Sequence, residues 1–158
     1  MGRWSILVGL VFALSVPAAH APQAASGEAE KVRLVSRAPF AVVARALEKA
    51  IVDEKMGLVC HANAQVGAAA RGVKIAGNQV LEVFRNDYAV RMLRVNPEAG
   101  FEAPIRIYLY ERPDGTATLV YRKPSAVFRP YGHPELDTLG AELDEIFDRI
   151  ARQAMAAR

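Results

Sequence analysis

Residues 80–124 decide the fold, and they read VLEVFRNDYAVRMLRVNPEAGFEAPIRIYLYERPDGTATLVYRKP. Near the end of this stretch, two runs of alternating residues, Ile105 to Arg112 and Thr116 to Lys123, predict a pair of strands. The turn Pro113-Asp114-Gly115 between them predicts a tight hairpin, because Pro fixes the first turn angle and Gly suits the left-handed position. Pairing of Arg112 with Thr116 would then give the hairpin one apolar face, on which Leu109 meets Leu119 and Ile107 meets Tyr121.

The opposite face of this hairpin is aromatic and cationic. Alternation places on it Arg106, Tyr108, Tyr110, Val120 and Arg122. A plain solvated face typically carries more Lys, Glu and Thr, whereas Tyr and Arg are enriched where binding energy is concentrated. We therefore hypothesise that this face binds either a second copy of the chain, giving a homodimer, or a small anionic or aromatic ligand. The alternative is an ordinary solvated sheet.

Another strand is predicted from Leu58 to Val66. Uninterrupted alternation divides it into two faces, with Cys60 on the side of Leu58 and with His61 and Asn63 on the other side. We assign the side of Leu58 to the core, so we expect Cys60 to be buried and unreactive. His61 and Asn63 are then expected to join the aromatic and cationic face.

Two long helices are predicted by apolar stripes of helical period. The first opens at Pro39-Phe40 and closes at Gly57, which we expect in the left-handed position after the helix. The second carries the apolar stripe Leu136, Leu139, Leu143, Ile146, Phe147, Ile150 and Ala154. Each helix has one stripe to bury, so both should pack on one face of the sheet. The prediction is a two-layer α+β fold with a mostly antiparallel sheet of about five strands, in the order β-α-β-β-β-β-α with a short helical insertion.

The arrangement of residues 80–124 resembles a bacterial family, domain of unknown function 302 (DUF302). The resemblance is carried by Val83-Phe84-Arg85-Asn86, a short helix at Asp87 to Leu93, Phe101-Glu102-Ala103-Pro104 and the hairpin. It extends to both long helices, and we assign residues 31–156 to this domain. Its signatures are hydrophobic and turn-like, with no catalytic residues among them, so the resemblance implies a fold.

The N-terminus has the pattern of a secretory signal peptide. Arg3 precedes the apolar run Ile6 to Val16, which is shorter than the roughly 20 residues of a membrane-spanning helix. Ala19-His20-Ala21 predicts a signal peptide at residues 1–21 and a flexible leader at 22–30. Since Pro22 is a poor partner for cleavage, the cut is expected as late as Ala25. We therefore expect an exported, periplasmic protein without a stable membrane anchor, or a secreted one if the host has no outer membrane.

Catalytic, metal and cofactor chemistry finds little support in the sequence. Cys60 is the only cysteine, so an internal disulfide and a Cys-x-x-Cys pair are excluded. His61 and His133 lack metal-ligand spacing, and no glycine-rich phosphate loop is present. The net charge of +3 is dispersed along the chain, which argues against nucleic acid as a partner. We expect a non-catalytic binding or interaction protein without a cofactor. The alternative is a thiol-dependent redox or sulfur-carrier protein acting through Cys60.

Overall fold

Five strands form one antiparallel sheet in the order β1-β5-β4-β3-β2. In the computed structural model, which describes residues 30–158, they are β1 (Lys31–Pro39), β2 (Gly57–Asn63), β3 (Asn78–Phe84), β4 (Ile105–Glu111) and β5 (Thr116–Arg122). The predicted signal peptide, its cleavage point and nearly all of the predicted leader lie outside the described residues. Strands β1 and β2 are the two edges of the sheet.

The helices confirm the predicted α+β class. They are α1 (Phe40–Asp53), α2 (Ala64–Ala69), α3 (Asn86–Val95), α4 (Pro124–Phe128) and α5 (Pro134–Met155), and 3-10 turns occupy Pro97–Glu102 and Arg129–Tyr131. Helices α1 and α5 pack against each other and on the same face of the sheet. Every residue of the predicted α5 stripe is buried. No described helix has both the length and the apolar character needed to cross a membrane.

The β4–β5 hairpin has the predicted register. Leu109 lies opposite Leu119 and Ile107 opposite Tyr121, and all four side chains are buried under the helices. Arg112 N donates to Thr116 O at 2.8 Å, and Gly115 takes the left-handed backbone conformation with φ 79°. The helices therefore cover one face of the sheet, which we call the core face, and the other is the open face.

Strand β2 departs from simple alternation. Leu58 pairs with Val83, but the next pair is Cys60 with Glu82, so Val59 is the extra residue of a β-bulge. An extra residue reverses the side-chain phase of everything that follows it. Cys60 consequently lies beside Glu82 on the open face and is exposed, and the prediction of a buried thiol is wrong.

Two predicted boundaries also move. The strand at residues 58–66 ends at Asn63, because its side-chain Oδ1 accepts a hydrogen bond from Val66 N at 3.1 Å and starts α2. Helix α1 ends at Asp53, and Lys55, with φ 59°, takes the left-handed position that we assigned to Gly57. Gly57 is the first residue of β2 instead.

Candidate functional site

The two tyrosines of β4 form the centre of the open face. Tyr108 and Tyr110 are two residues apart on one strand, so their side chains point the same way. Their rings stack with centroids 5.3 Å apart and planes inclined by 26°. The register of the hairpin confirms the prediction that this face also carries Arg106, Val120 and Arg122.

Both tyrosine hydroxyls accept hydrogen bonds from side chains of other strands. Arg33 Nη1 on β1 donates to Tyr110 OH at 2.6 Å, and Asn78 Nδ2 on β3 donates to Tyr108 OH at 2.6 Å. Hydrogen bonding to the Thr118 side chain, and then to Arg33, lowers the pKa of the Tyr110 phenol. These bonds fix the two rings as an aromatic ridge along β4, the central strand of the sheet.

Beside this ridge lies a transverse row of charged residues. Lys31 on β1 pairs with Arg122 on β5, and Arg106 on β4 lies level with Arg122, one step beyond the Ile107–Tyr121 pair. Glu82 on β3 pairs with Arg106 and ends the row, with its Oε1 4.0 Å from Arg106 Nε. Within residues 30–158, Arg122 makes no ion pair. Three cationic side chains thus stand next to one another on adjacent strands.

These three cations line a concavity of about 600 Å³, which we call the sheet groove. Tyr108 and Val120 contribute to its lining from the sheet, and Val127 contributes from α4. Phe101, at the end of the 3-10 turn that follows α3, lines it too, and its side chain is 89% exposed. A volume of this size is within the range of small-molecule sites. Glu102 is the acidic residue of this lining, so the groove combines three cations and one carboxylate with accessible aromatic area.

The segment that carries Phe101 is held in place by its acidic neighbour. Tyr131 OH donates to Glu102 Oε1 at 3.2 Å, which ties the turn at Pro97–Glu102 to the chain leaving α4. Burial, with the nearby Glu102 carboxylate, raises the pKa of Tyr131 and keeps the phenol a neutral donor. The exposed ring of Phe101 is thus presented by an anchored turn.

His61 and Asn63 do not join this site. After the bulge, His61 lies opposite Leu81 on the core face, where its Nε2 is 2.5 Å from Gln79 Oε1 and its Nδ1 is 3.8 Å from Glu48 Oε1. Asn63 caps α2, as described above. The hypothesis that both residues share a face with Tyr108 is wrong, and the cause is the single extra residue at Val59.

Lys31 and Phe101 are among the residues of the sheet groove that reasoning from the sequence missed. Lys31 enters it because β1 pairs with β5, and its partner Arg122 is 91 positions away in the sequence (122 minus 31), so the sequence carries no local sign of the contact. Phe101 stands alone between Gly100 and Glu102, and a lone aromatic residue in a turn carries no periodic pattern. The available signal was its position between the predicted short helix at Asp87 to Leu93 and the hairpin, outside any predicted apolar stripe.

A second, much smaller cavity is formed by the helices and the core face rather than by the open face. It measures about 30 Å³ and is lined mainly by apolar side chains of α3, α5 and β3, including Met92, Leu143 and Val83. Its volume is close to that of one water molecule. We regard it as a packing gap. In the described part of the chain, no cluster of three or more His, Cys, Asp and Glu residues is arranged to hold a metal ion.

Comparisons with known proteins agree with this fold. The profile of the family described as "Domain of unknown function DUF302" matches residues 32–154. Among solved structures, the chain is similar to the crystal structure of an uncharacterized conserved DUF302 protein from Bacillus stearothermophilus, at 19% sequence identity and a TM-score of 0.67. That match covers 82% of this chain and 98% of the other. No curated protein matches the chain.

Proposed function

The chain belongs to the DUF302 family, and from this premise we propose that it is a non-catalytic binding protein whose sheet groove holds a small anion with an aromatic or apolar part. The observation that carries the proposal is the row of Lys31, Arg122 and Arg106 within a concavity that also presents Phe101. The predicted signal peptide would deliver this binding activity to the periplasm.

Charge is the first reason for an anionic ligand. Like charges directly opposite each other on neighbouring strands destabilise a sheet. A carboxylate, sulfonate or phosphate between Arg122 and Arg106 would relieve that repulsion and accept charge-assisted hydrogen bonds from both guanidinium groups. The planar, forked guanidinium suits such two-oxygen acceptors better than a lysine does.

The apolar lining is the second reason, because it selects among anions. Phe101, Val120 and Val127 offer contact area that an inorganic ion cannot use. Tyr108 is held by Asn78, so it can support a flat ring without losing side-chain freedom on binding. An aromatic or branched carboxylate satisfies both halves of the groove, whereas free phosphate satisfies only the cationic half.

The test uses 8-anilinonaphthalene-1-sulfonate, a fluorescent aromatic anion, as the probe. We expect saturable binding to the purified protein, with affinity reduced at least tenfold in Arg122→Gln and in Phe101→Ser. Benzoate should displace the probe at lower concentration than inorganic phosphate does. Arg94→Gln is the matched control, because it removes one arginine from α3, away from the sheet groove. Equal affinity in Arg122→Gln and wild type, or no saturable binding, would refute the proposal.

Native mass spectrometry of protein taken directly from cells provides an independent reading. A retained small molecule should be present on the wild-type chain and absent from Arg122→Gln. Its mass would also identify the ligand class. Retention that is unchanged by this substitution would place the ligand elsewhere on the protein.

Thiol chemistry at Cys60 is a second candidate function, favoured by the exposure of its side chain. Its cross-strand neighbour Glu82 is acidic, so it is not one of the cationic groups that usually activate a reactive thiol. Maleimide labelling at several pH values distinguishes the two candidates. Fast labelling well below neutral pH would favour the thiol function, and labelling typical of a simple exposed cysteine would not.

A further inference from the structure

Glu102, the acidic residue of the sheet groove, is not explained by an anionic ligand alone. It is half-buried and lines the same concavity as Lys31, Arg106 and Arg122. Among the residues from Glu30 to Arg158, nevertheless, no ion pair joins Glu102 to a basic side chain. A ligand with an anionic group and nothing else would be repelled by this carboxylate. The ligand should therefore also carry a group that the carboxylate attracts.

One oxygen of the Glu102 carboxylate is already engaged. Its Oε1 accepts the hydrogen bond from Tyr131 OH at 3.2 Å, which fixes where the carboxylate lies. Within the described part of the chain, no protein group donates a hydrogen bond to Oε2. An ionised carboxylate is an acceptor at both oxygens and has no proton to donate. Oε2 therefore offers an acceptor to a donor group on a ligand in the sheet groove.

Glu102 and Tyr108 lie on opposite sides of the cationic row along the chain. Tyr108 follows Arg106 by two residues inside β4, whereas Glu102 precedes Arg106 by four. Four residues of extended chain span at most about 14 Å, and all three side chains line the same groove. Phe101 is next to Glu102. A ring that is held by its acid group at the arginines and directed towards Phe101 would therefore bring its far end close to the carboxylate.

We propose that the ligand of the sheet groove is a hydroxylated aromatic acid, whose hydroxyl lies on the far side of the ring from its acid group and donates to Glu102 Oε2. The proposal specifies the ligand class, and it rests on the function proposed for the groove. A neutral hydroxyl suits the charges better than an ammonium group, which would add a positive charge next to three cations. A ring without a donor would leave the carboxylate desolvated and unpaired, and sites built to bond a hydroxyl strongly reject such analogues.

Competition against 8-anilinonaphthalene-1-sulfonate tests this selectivity with simple ligands. 4-Hydroxybenzoate carries the donor, benzoate lacks it, and 4-methoxybenzoate has the oxygen but no proton to donate. The wild-type protein should bind 4-hydroxybenzoate at least about tenfold more tightly than either, because hydrogen bonds to an ionised group are the strong ones. Salicylate should bind no more tightly than benzoate, since its hydroxyl lies beside its own acid group and cannot reach Glu102.

Substitution of Glu102 identifies the residue that makes the selection. In Glu102→Gln the amide oxygen can still accept from Tyr131, but the carboxylate is lost, and Glu102→Met removes the acceptor altogether. The preference for 4-hydroxybenzoate should fall below about threefold in both, while benzoate binds as in the wild type or more tightly. Retained benzoate binding also shows that the variants are folded. Glu98→Gln is the matched control, because it removes an exposed carboxylate of the same 3-10 turn outside the groove lining, and it should keep the preference.

The outcomes separate this proposal from the one on which it rests. A preference below threefold in the wild type, or one that survives both Glu102 substitutions, would overturn the hydroxyl assignment. So would a preference that Glu98→Gln also removes, or salicylate binding as tight as that of 4-hydroxybenzoate. In each of these cases the function proposed for the groove stands if Arg122→Gln still weakens benzoate binding at least tenfold. If Arg122→Gln binds benzoate like the wild type, that function fails and the hydroxyl assignment fails with it.

Discussion

Replacement of Gly140 by alanine should destabilise the domain, although alanine is the better helix former. Helix α5 approaches α4 closely at Gly140, and a Cβ added there would lie 2.7 Å from Ser125 Cα, 3.1 Å from Ser125 N and 3.3 Å from Pro124 O. All three contacts are with backbone atoms, which cannot turn aside as the tip of a flexible side chain can. Accommodating the methyl group therefore requires α4 and α5 to move apart.

The size of the effect follows from what that movement strains. Asp144, one turn along α5, accepts hydrogen bonds from Ser125 N at 2.9 Å and Ser125 Oγ at 2.6 Å. Overpacking a tight contact costs about 1–3 kcal/mol, and a weakened hydrogen bond to a carboxylate adds to that cost. The higher helix propensity of alanine offsets about 1 kcal/mol of this loss of stability. The net expectation is a loss of about 1–3 kcal/mol in the free energy of unfolding.

Urea denaturation of purified Gly140→Ala measures this loss, and Gly67→Ala is its matched control. Gly67 is in α2, and a Cβ there would meet nothing within 4 Å. The control should therefore be unchanged or more stable by up to about 1 kcal/mol. The same substitution should thus destabilise the protein at Gly140 but not at Gly67. If Gly140→Ala matches or exceeds the wild-type stability, the close approach of α4 and α5 is wrong.

Three further measurements test other parts of the description. Leu143→Ala or Ile146→Ala should each cost about 2–5 kcal/mol in urea denaturation, as large-to-small changes at buried positions do, and losses near zero would contradict the orientation of α5. Burial, with Asp148 nearby, raises the pKa of Tyr121 from 10.0 to about 12, so the stability owed to its neutral phenol is complete below pH 10 and is lost as the pH rises to 12. Tyr121→Phe should reduce that alkaline loss by about 1–3 kcal/mol, and an identical loss in both proteins would refute the assignment. For the predicted signal peptide, the intact mass of exported protein should place the N-terminus between Pro22 and Ser26, and a membrane-bound form retaining Met1 would contradict it.

Local pattern was enough to predict the β4–β5 hairpin and the α5 stripe. In the hairpin, turn chemistry fixes which residues pair, so alternation then assigns every side chain to a face. In α5, the helical period is not interrupted, so the spacing of the apolar residues alone determines which side of the helix is buried. The order of elements and the α+β class followed from these two signals with the α1 stripe.

The predictions for β2 were wrong because one extra residue changed the alternation of its side chains between the two faces. Alternation along residues 58–66 assumes that each residue advances the pairing by one step, and the bulge at Val59 breaks that assumption. Cys60 and His61 then exchanged faces together, so one cause accounts for both wrong assignments. The sequence did carry a signal for the end of the strand, because Asn63 has a side chain that is preferred at a helix start. The bulge itself has no comparable mark, since neither glycine nor proline lies at Val59.

The cationic row of the sheet groove shows why part of a site cannot be predicted from local sequence patterns. Arg106 and Arg122 become neighbours through the hairpin, which the sequence predicts, but Lys31 reaches them only because β1 pairs with β5. Selection for stability alone would favour opposite charges at such positions, as Glu82 provides beside Arg106 at the end of the row. A basic residue on each of three adjacent strands instead fits the anion that we propose for the sheet groove. Repulsion between Arg106 and Arg122 is the physical reason for that proposal.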